Sequence, residues 1–197
     1  MTTSGPQLAE KLPLYTSVEI VTTLPPADLY DLCDAADAAI EAGGGFGWLK
    51  PPAREMMEKY WRGVLVVPER HLMIARMDGM VCGSVQLVEP SRYNEAQACT
   101  ANLLACFVAP WARGQGAGRK LIETAEKLAA SMDYKVLHLD IRETQTAAIS
   151  MLESMGYTRW GTNPTYAMVD NRFIAGHYYT KTLRSLFVPH HKRTAND

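Results

Sequence analysis

The chain has 197 residues, 47% of them hydrophobic and 21% charged, with a formal net charge of -1. That is the balance of a soluble globular protein able to bury one sizeable core. It gives no general pull toward nucleic acid or an anionic membrane, and no apolar run approaches the ~20 residues of a bilayer span.

The opening residues, MTTSGPQLAEKLPLYTS, lack the basic-then-apolar order of a secretory signal. Cys33, Cys82, Cys99 and Cys106 show no CxxC spacing, so a reducing, cytoplasmic setting without a metal site is expected. Residues 1–17 and 185–197 read as loose polar ends around one domain over 18–184. VEIVTTL is a short strand. PPADLYDLCDAADAAIEAGGG sets Leu29, Leu32, Cys33, Ala36 and Ile40 at helical spacing, opened by proline and closed by glycines. FGWLKPP is a loop, and AREMMEKYW a shorter helix.

HLMIARMDGMVCGSVQLV is two apolar runs around Asp78-Gly79, a dipeptide suited to a tight hairpin. ANLLACFVAP is a buried strand stopped by Pro110. After a glycine-rich stretch, Leu121, Ile122, Ala125, Leu128, Ala129 and Met132 form one helical stripe. KVLHLDIR is a strand, TQTAAISMLESM a helix, and GYTRWGTNPTYAMV with RFIAGHYYTKTL a closing pair of strands. The order predicts an α/β (α+β) fold with a mixed central sheet and helices on both faces.

WARGQGAGRK, between an apolar strand and an apolar helix, invites three phosphate-binding readings. A Walker loop from Gly114 requires GK[ST], but the sixth position is Arg119. A dinucleotide fingerprint fails at the same residue and follows an antiparallel hairpin rather than opening a βαβ unit. The coenzyme A loop R/Q-x-x-G-x-G/A is filled by Arg113, Gly116 and Gly118. A helix starting near Ala117 would present unpaired N–H groups and a partial positive charge to a pyrophosphate, with Arg113 and Arg119 at the rim.

FVAPWARGQGAGRKLIE therefore resembles the central motif of the GNAT superfamily of acyl-CoA N-acyltransferases, and the element order from Val18 to Leu183 resembles that fold. LHLDIRETQTAAISMLESMGYTRWGTNPTYAMV is similar to the C-terminal half of tabtoxin-resistance acetyltransferases. The resemblance implies a mostly antiparallel sheet splayed between its fourth and fifth strands, and direct transfer of acetyl from acetyl-CoA to a primary amine in a ternary complex. It implies pyrophosphate binding by Arg113, Gly114, Gln115, Gly116, Ala117, Gly118 and Arg119, and thioester contacts from the backbone N–H groups of Phe107 and Val108. Gln145 stands where relatives often carry a cofactor-binding asparagine. Self-association through the end strands, common among relatives, makes a homodimer an expectation.

Proton transfer selects the catalytic candidates. An ammonium with pKa near ~10.4 is neutral in only about one molecule in ~2,500 at pH 7, a cost of roughly 4.6 kcal/mol, whereas a thiolate leaving group near ~8.5 needs less help. Alternation in VLHLDIR sets His138 and Asp140 opposite Leu137, Leu139 and Ile141, and burial of Asp140 would raise its pKa toward a useful range. The tabtoxin-resistance likeness carries a base role onto Asp140; a structural acid bonded to His138, Arg142 or backbone amides is the competing reading.

Asn102 stands where relatives have a glutamate, and Leu152 where many have a tyrosine acid. Tyr166 could serve as acid or substrate contact, or simply pack. Cys106 shares a face with Asn102 on a straight strand, but direct transfer requires no thiol nucleophile. GGGFGWLKPP with Tyr60 and Trp61 would line a pocket suited to a small, amino-acid-like amine. A protein or peptide acceptor and a non-catalytic acyl-CoA sensor are the alternatives.

Overall fold

The computed structural model describes residues 15–44 and 46–183; most of the two expected loose ends lies outside them. Every expected element forms, in the expected order. They are β1 (Thr16–Val21), α1 (Pro26–Glu41), α2 (Arg54–Leu65), β2 (Arg70–Met77), β3 (Met80–Val88), β4 (Thr100–Val108), α3 (Ala117–Ser131), β5 (Val136–Arg142), α4 (Thr146–Ser154), β6 (Thr158–Val169) and β7 (Arg172–Thr182). The first strand starts two residues before Val18 and stops at Val21 rather than running on to Leu24. No helix among the described residues is long and apolar enough to cross a membrane.

One seven-stranded sheet runs β1-β2-β3-β4-β5-β7-β6. All neighbours are antiparallel except β4 and β5. The β2–β3 hairpin turns on Asp78 and Gly79, both at positive φ (49° and 89°), the pair of conformations a two-residue type I′ loop requires. Asp78 also fastens the chain entering β1, since its N–H donates to the Tyr15 carbonyl and its Oδ1 accepts from the Tyr15 N–H, both at 2.9 Å.

Two apolar clusters sandwich the sheet. α3 and α4 cover one face with Leu121, Ile122, Ala125, Ala129 and Leu152, against Met73, Val85, Leu103, Leu137 and Tyr179. α1 and α2 cover the other with Leu32, Ile40, Met57 and Trp61, against Leu72, Ile74 and Phe107. Alternate residues of β2 thus enter opposite clusters, which is why HLMIARM reads as a nearly continuous apolar run.

β3 and β4 meet most closely at Gly83. A Cβ there would overlap the Phe107 carbonyl oxygen, an obstacle made of backbone. Gly83→Ala should therefore destabilise the protein by about 1–3 kcal/mol in urea unfolding. Gly63→Ala, on exposed α2 surface with nothing within 4 Å of the new atom, should instead stabilise it by up to ~1 kcal/mol.

Candidate active site

The site begins where the sheet divides. β4 and β5 pair at only three positions, from Thr100↔Val136 to Asn102↔His138. Beyond that, β5 stays bonded to β7 as far as Arg142↔Gly176, and β4 stays with β3. On β4, Ala105 and Cys106 together oppose the single residue Val85, because Leu104 pairs with Gln86 while Phe107 pairs with Ser84. Ala105 sits at φ 49°, and its carbonyl accepts from the Ser84 hydroxyl at 3.2 Å. A bulge of this kind bends its strand, here away from β5, and a cavity of about 600 Å³ lies between the separated ends.

The bulge also reverses side-chain alternation. Ala101 and Leu103 face the α3 cluster, whereas Phe107 faces the α1–α2 cluster. Cys106 consequently does not share a face with Asn102, as a straight strand would have it. Its side chain is exposed to the cavity, and the protein packed around it pushes the thiol pKa up to about 12. A thiol so seldom ionised at neutral pH is a poor nucleophile.

At the end of β4 the backbone amides separate in direction. The Ala109 N–H donates to the Cys82 carbonyl on β3 at 2.8 Å. Alternation then sends the Phe107 N–H to β3 as well and the Val108 N–H to the open side. The Val108 carbonyl accepts from Arg113 Nε at 3.1 Å.

The glycine loop follows. Gly114 and Gly116 have φ of 76° and 81°, and Gly116 is the N-cap of α3, with no side-chain cap on the first turn. The leading amides of α3 thus remain available to an anion. Gly118 is different. A Cβ there would lie 3.4 Å from Met151 Sδ and 3.7 Å from Val108 Cγ2, ordinary contact distances. The loop pattern's strict glycine is thus a conformational demand at Gly116, and its tolerance of alanine is the available space at Gly118.

Arg113 and Arg119 are exposed on either side of the loop, with Gln115 and Gly114 between them equally exposed and Ala117 turned inward. Arg119 donates to Ser154 Oγ at 2.7 Å. Gln145, at the N-terminus of α4, lines the cavity and donates to the Gly43 carbonyl at 2.9 Å, tying α4 to the end of α1.

Asp140 and Tyr166 meet across the other wall. Both line the cavity, and the Tyr166 hydroxyl donates to Asp140 Oδ2. Asp140 is exposed to the cavity, not buried as expected, because the sheet has opened beside it. Its partner is Tyr166, brought there by an irregularity in β6. Asn163 pairs with Gly176 but Ala167 with Ile174, so Pro164, Thr165 and Tyr166 oppose Ala175 alone. Asn163 Oδ1 accepts from the Thr165 N–H at 3.0 Å and stabilises that bend.

The Tyr166 ring lies directly on Gly176, where any Cβ would overlap it. Burial first, then the bond to Asp140, hold the phenol well above its usual pKa, with the Arg142 charge opposing them. Asn102 belongs to the last β4–β5 pair and is not part of the cavity wall. Leu152 is buried in the α3–α4 cluster and touches the cavity only with carbon.

The third wall comes from the α1–α2 connection. Phe46 stacks on Phe107 with centroids 5.0 Å apart and packs edge-on to Trp48 at 5.3 Å; Trp48 meets Tyr60 at 5.0 Å. Behind them, fully buried Gln86 donates to the Tyr60 hydroxyl at 2.9 Å and accepts from Arg70 Nη1 at 3.0 Å. Sequence reasoning missed Arg70, Gln86 and Gly176. Gly176 had a usable signal, a lone glycine inside a strand pattern.

A family model described as the acetyltransferase (GNAT) family matches residues 30–157. The chain belongs to the GNAT family. Over 129 residues it is 59% identical to an uncharacterized N-acetyltransferase of Azospirillum brasilense from the hisH-hisA intergenic region, covering 66% of this chain and 77% of that one. Among solved structures, an N-acetyltransferase from Staphylococcus aureus Mu50 superposes with a TM-score of 0.73 at 16% identity, over 86% of this chain and 99% of that one. The Salmonella typhimurium protein yncA, solved with its cofactor acetyl-CoA, gives 0.68 at 16% identity, over 88% and 97%.

GNAT acetyltransferases use acetyl-CoA, and the residues present fit it. Uncapped amides at α3, two left-handed glycines with nothing within 4 Å of where a Cβ would sit, and two flanking arginines could hold a pyrophosphate. The outward Val108 N–H could meet a thioester carbonyl.

Gly116→Glu would strain a left-handed position and set a negative charge before the amides. Equilibrium binding of coenzyme A should weaken by roughly 100-fold or more, about 2.7 kcal/mol. Gly176→Ala should expel the Tyr166 ring and break its bond to Asp140, destabilising the fold by about 1–3 kcal/mol in urea unfolding.

Proposed function

We propose that this GNAT acetyltransferase moves the acetyl group of acetyl-CoA directly to a primary amine of a small molecule, with Asp140 accepting the ammonium proton. The observation that carries the reading is the Asp140–Tyr166 pair on the wall of an aromatic-sided cavity, opposite the open end of β4. When bound, acetyl-CoA supplies an activated acyl group. The α3 amides with Arg113 and Arg119 anchor its pyrophosphate, and the Val108 N–H polarises the carbonyl under attack.

Asp140 is placed to take, directly or through water, the proton that the ammonium must lose, a loss that costs ~4.6 kcal/mol at pH 7. Tyr166 occupies Oδ2 and so directs the proton to Oδ1. Its own phenol, held above the ordinary tyrosine range, is a weaker acid than a thiol near ~8.5. It therefore positions Asp140 and supplies no proton to the departing thiolate, which solvent can protonate. Asn102 could reach the reacting atoms only through an intervening water.

A small acceptor is favoured by the aromatic side chains of Phe46, Trp48 and Tyr60, which crowd one wall of the cavity. Free-thiol release with a panel of small amines and peptides tests both points. Asp140→Asn should lower turnover by ~100-fold or more on the best amine and alter its pH profile. Acetyl-CoA binding without turnover on any amine would favour a sensor, and turnover confined to peptides would overturn the small-molecule acceptor.

A further inference from the structure

The acceptor end of the cavity carries a cation that transfer chemistry does not use. Arg70 opens β2 and lies on the same face as Leu72 and Ile74, both in the α1–α2 cluster. That is also the face of Asp140, because Asn102 pairs with His138 and Asp140 follows two residues later. Both line the cavity.

Fully buried Gln86 holds Arg70. Its Oε1 accepts from Arg70 Nη1 at 3.0 Å, and its Nε2 donates to the Tyr60 hydroxyl at 2.9 Å. One N–H of the guanidinium is thereby engaged, leaving the rest of its fork of donors. The Tyr60 oxygen accepts from Gln86 and retains its own proton to donate. Burial raises the Tyr60 pKa, which keeps that proton in place.

Arg70 forms no salt bridge among the described residues, and neighbouring acids are committed elsewhere. Glu69 pairs with Arg92 at 2.7 Å, while Glu89 takes His71 Nε2 and the Tyr134 hydroxyl, each at 2.8 Å. A half-buried guanidinium oriented by a buried amide but lacking a carboxylate is costly unless an anion arrives. Its planar fork matches a carboxylate in two parallel hydrogen bonds.

We infer that Arg70, with the Tyr60 hydroxyl beside it, binds a carboxylate on the acceptor, so that the substrate is an amino acid or a closely related amine bearing a free carboxylate. The inference rests on the small-amine reading above and names a residue that selects the substrate. Asp140 receives the amine end, Arg70 holds the acid end, and Phe46 and Trp48 enclose the apolar part between them.

The test compares α- and ω-amino acids, each beside its own carboxamide, in free-thiol release by the full chain. At least one acid should exceed its amide by ~100-fold or more in kcat/KM, the range expected for a desolvated charge pair. Arg70→Gln should bring that ratio within ~3-fold of unity, mainly through KM, and Arg70→Lys should restore part of it. Amides turned over as well as acids, or an unchanged ratio in Arg70→Gln, would overturn the carboxylate and leave acetyl transfer to amines standing.

If no amine is turned over, calorimetric binding of the same pairs in the presence of coenzyme A decides. Binding of an acid but not its amide, lost in Arg70→Gln, upholds Arg70 and overturns transfer; binding of neither overturns both.

Discussion

Two parallel strands joined at only three residue pairs sit in the middle of this sheet, and the rest of the molecule is organised around their separation. β5 follows β7, β4 follows β3, and the left-handed Ala105 makes the parting abrupt. A non-glycine residue in that conformation costs of order 1 kcal/mol or more. The Ser84 hydroxyl and the close β3–β4 approach at Gly83 hold it in place. What the protein obtains is a cleft through the sheet whose walls are strand backbone, the stiffest material available to it.

On the proposed reading, both halves of the reaction would use that cleft from opposite faces. α3 begins immediately past the free end of β4, so the amides suited to a pyrophosphate and the outward Val108 N–H belong to one continuous stretch of chain. The bulge turns Phe107 to the other face, where it stacks on Phe46 and becomes the base of the acceptor wall. A single extra residue in β4 thus opens the sheet, frees an amide and builds part of the wall of the cavity proposed to take the acceptor.

The order of elements and the start of α3 were legible because periodicity and glycine placement are local signals. The hairpin at Asp78-Gly79 and the alternation of Leu137 and Leu139 with His138 and Asp140 were legible for the same reason. Long-range geometry was not. An alanine at positive φ has no local signature, so the faces of Asn102 and Cys106 were confused. Asp140 was expected to be buried because a central strand normally is, and the splay beside it cancels that rule. Gln86 lies within the apolar run VCGSVQLV and is fully buried, satisfied by side chains from β2 and α2 that no reading of β3 alone would bring together.

The charges in the cavity wall bear on the deprotonation itself. Asp140 is the one carboxylate among the described lining residues, set against the guanidinium groups of Arg70 and Arg142. On the proposed reading, Arg70 offsets the negative charge of Asp140, so an acceptor carrying both an ammonium and a carboxylate leaves neither of them unmatched. Such an acceptor can enter as a zwitterion, its acid end on Arg70 and its amine end toward Asp140. On this account the cation that selects the substrate also permits its entry beside a charged Asp140.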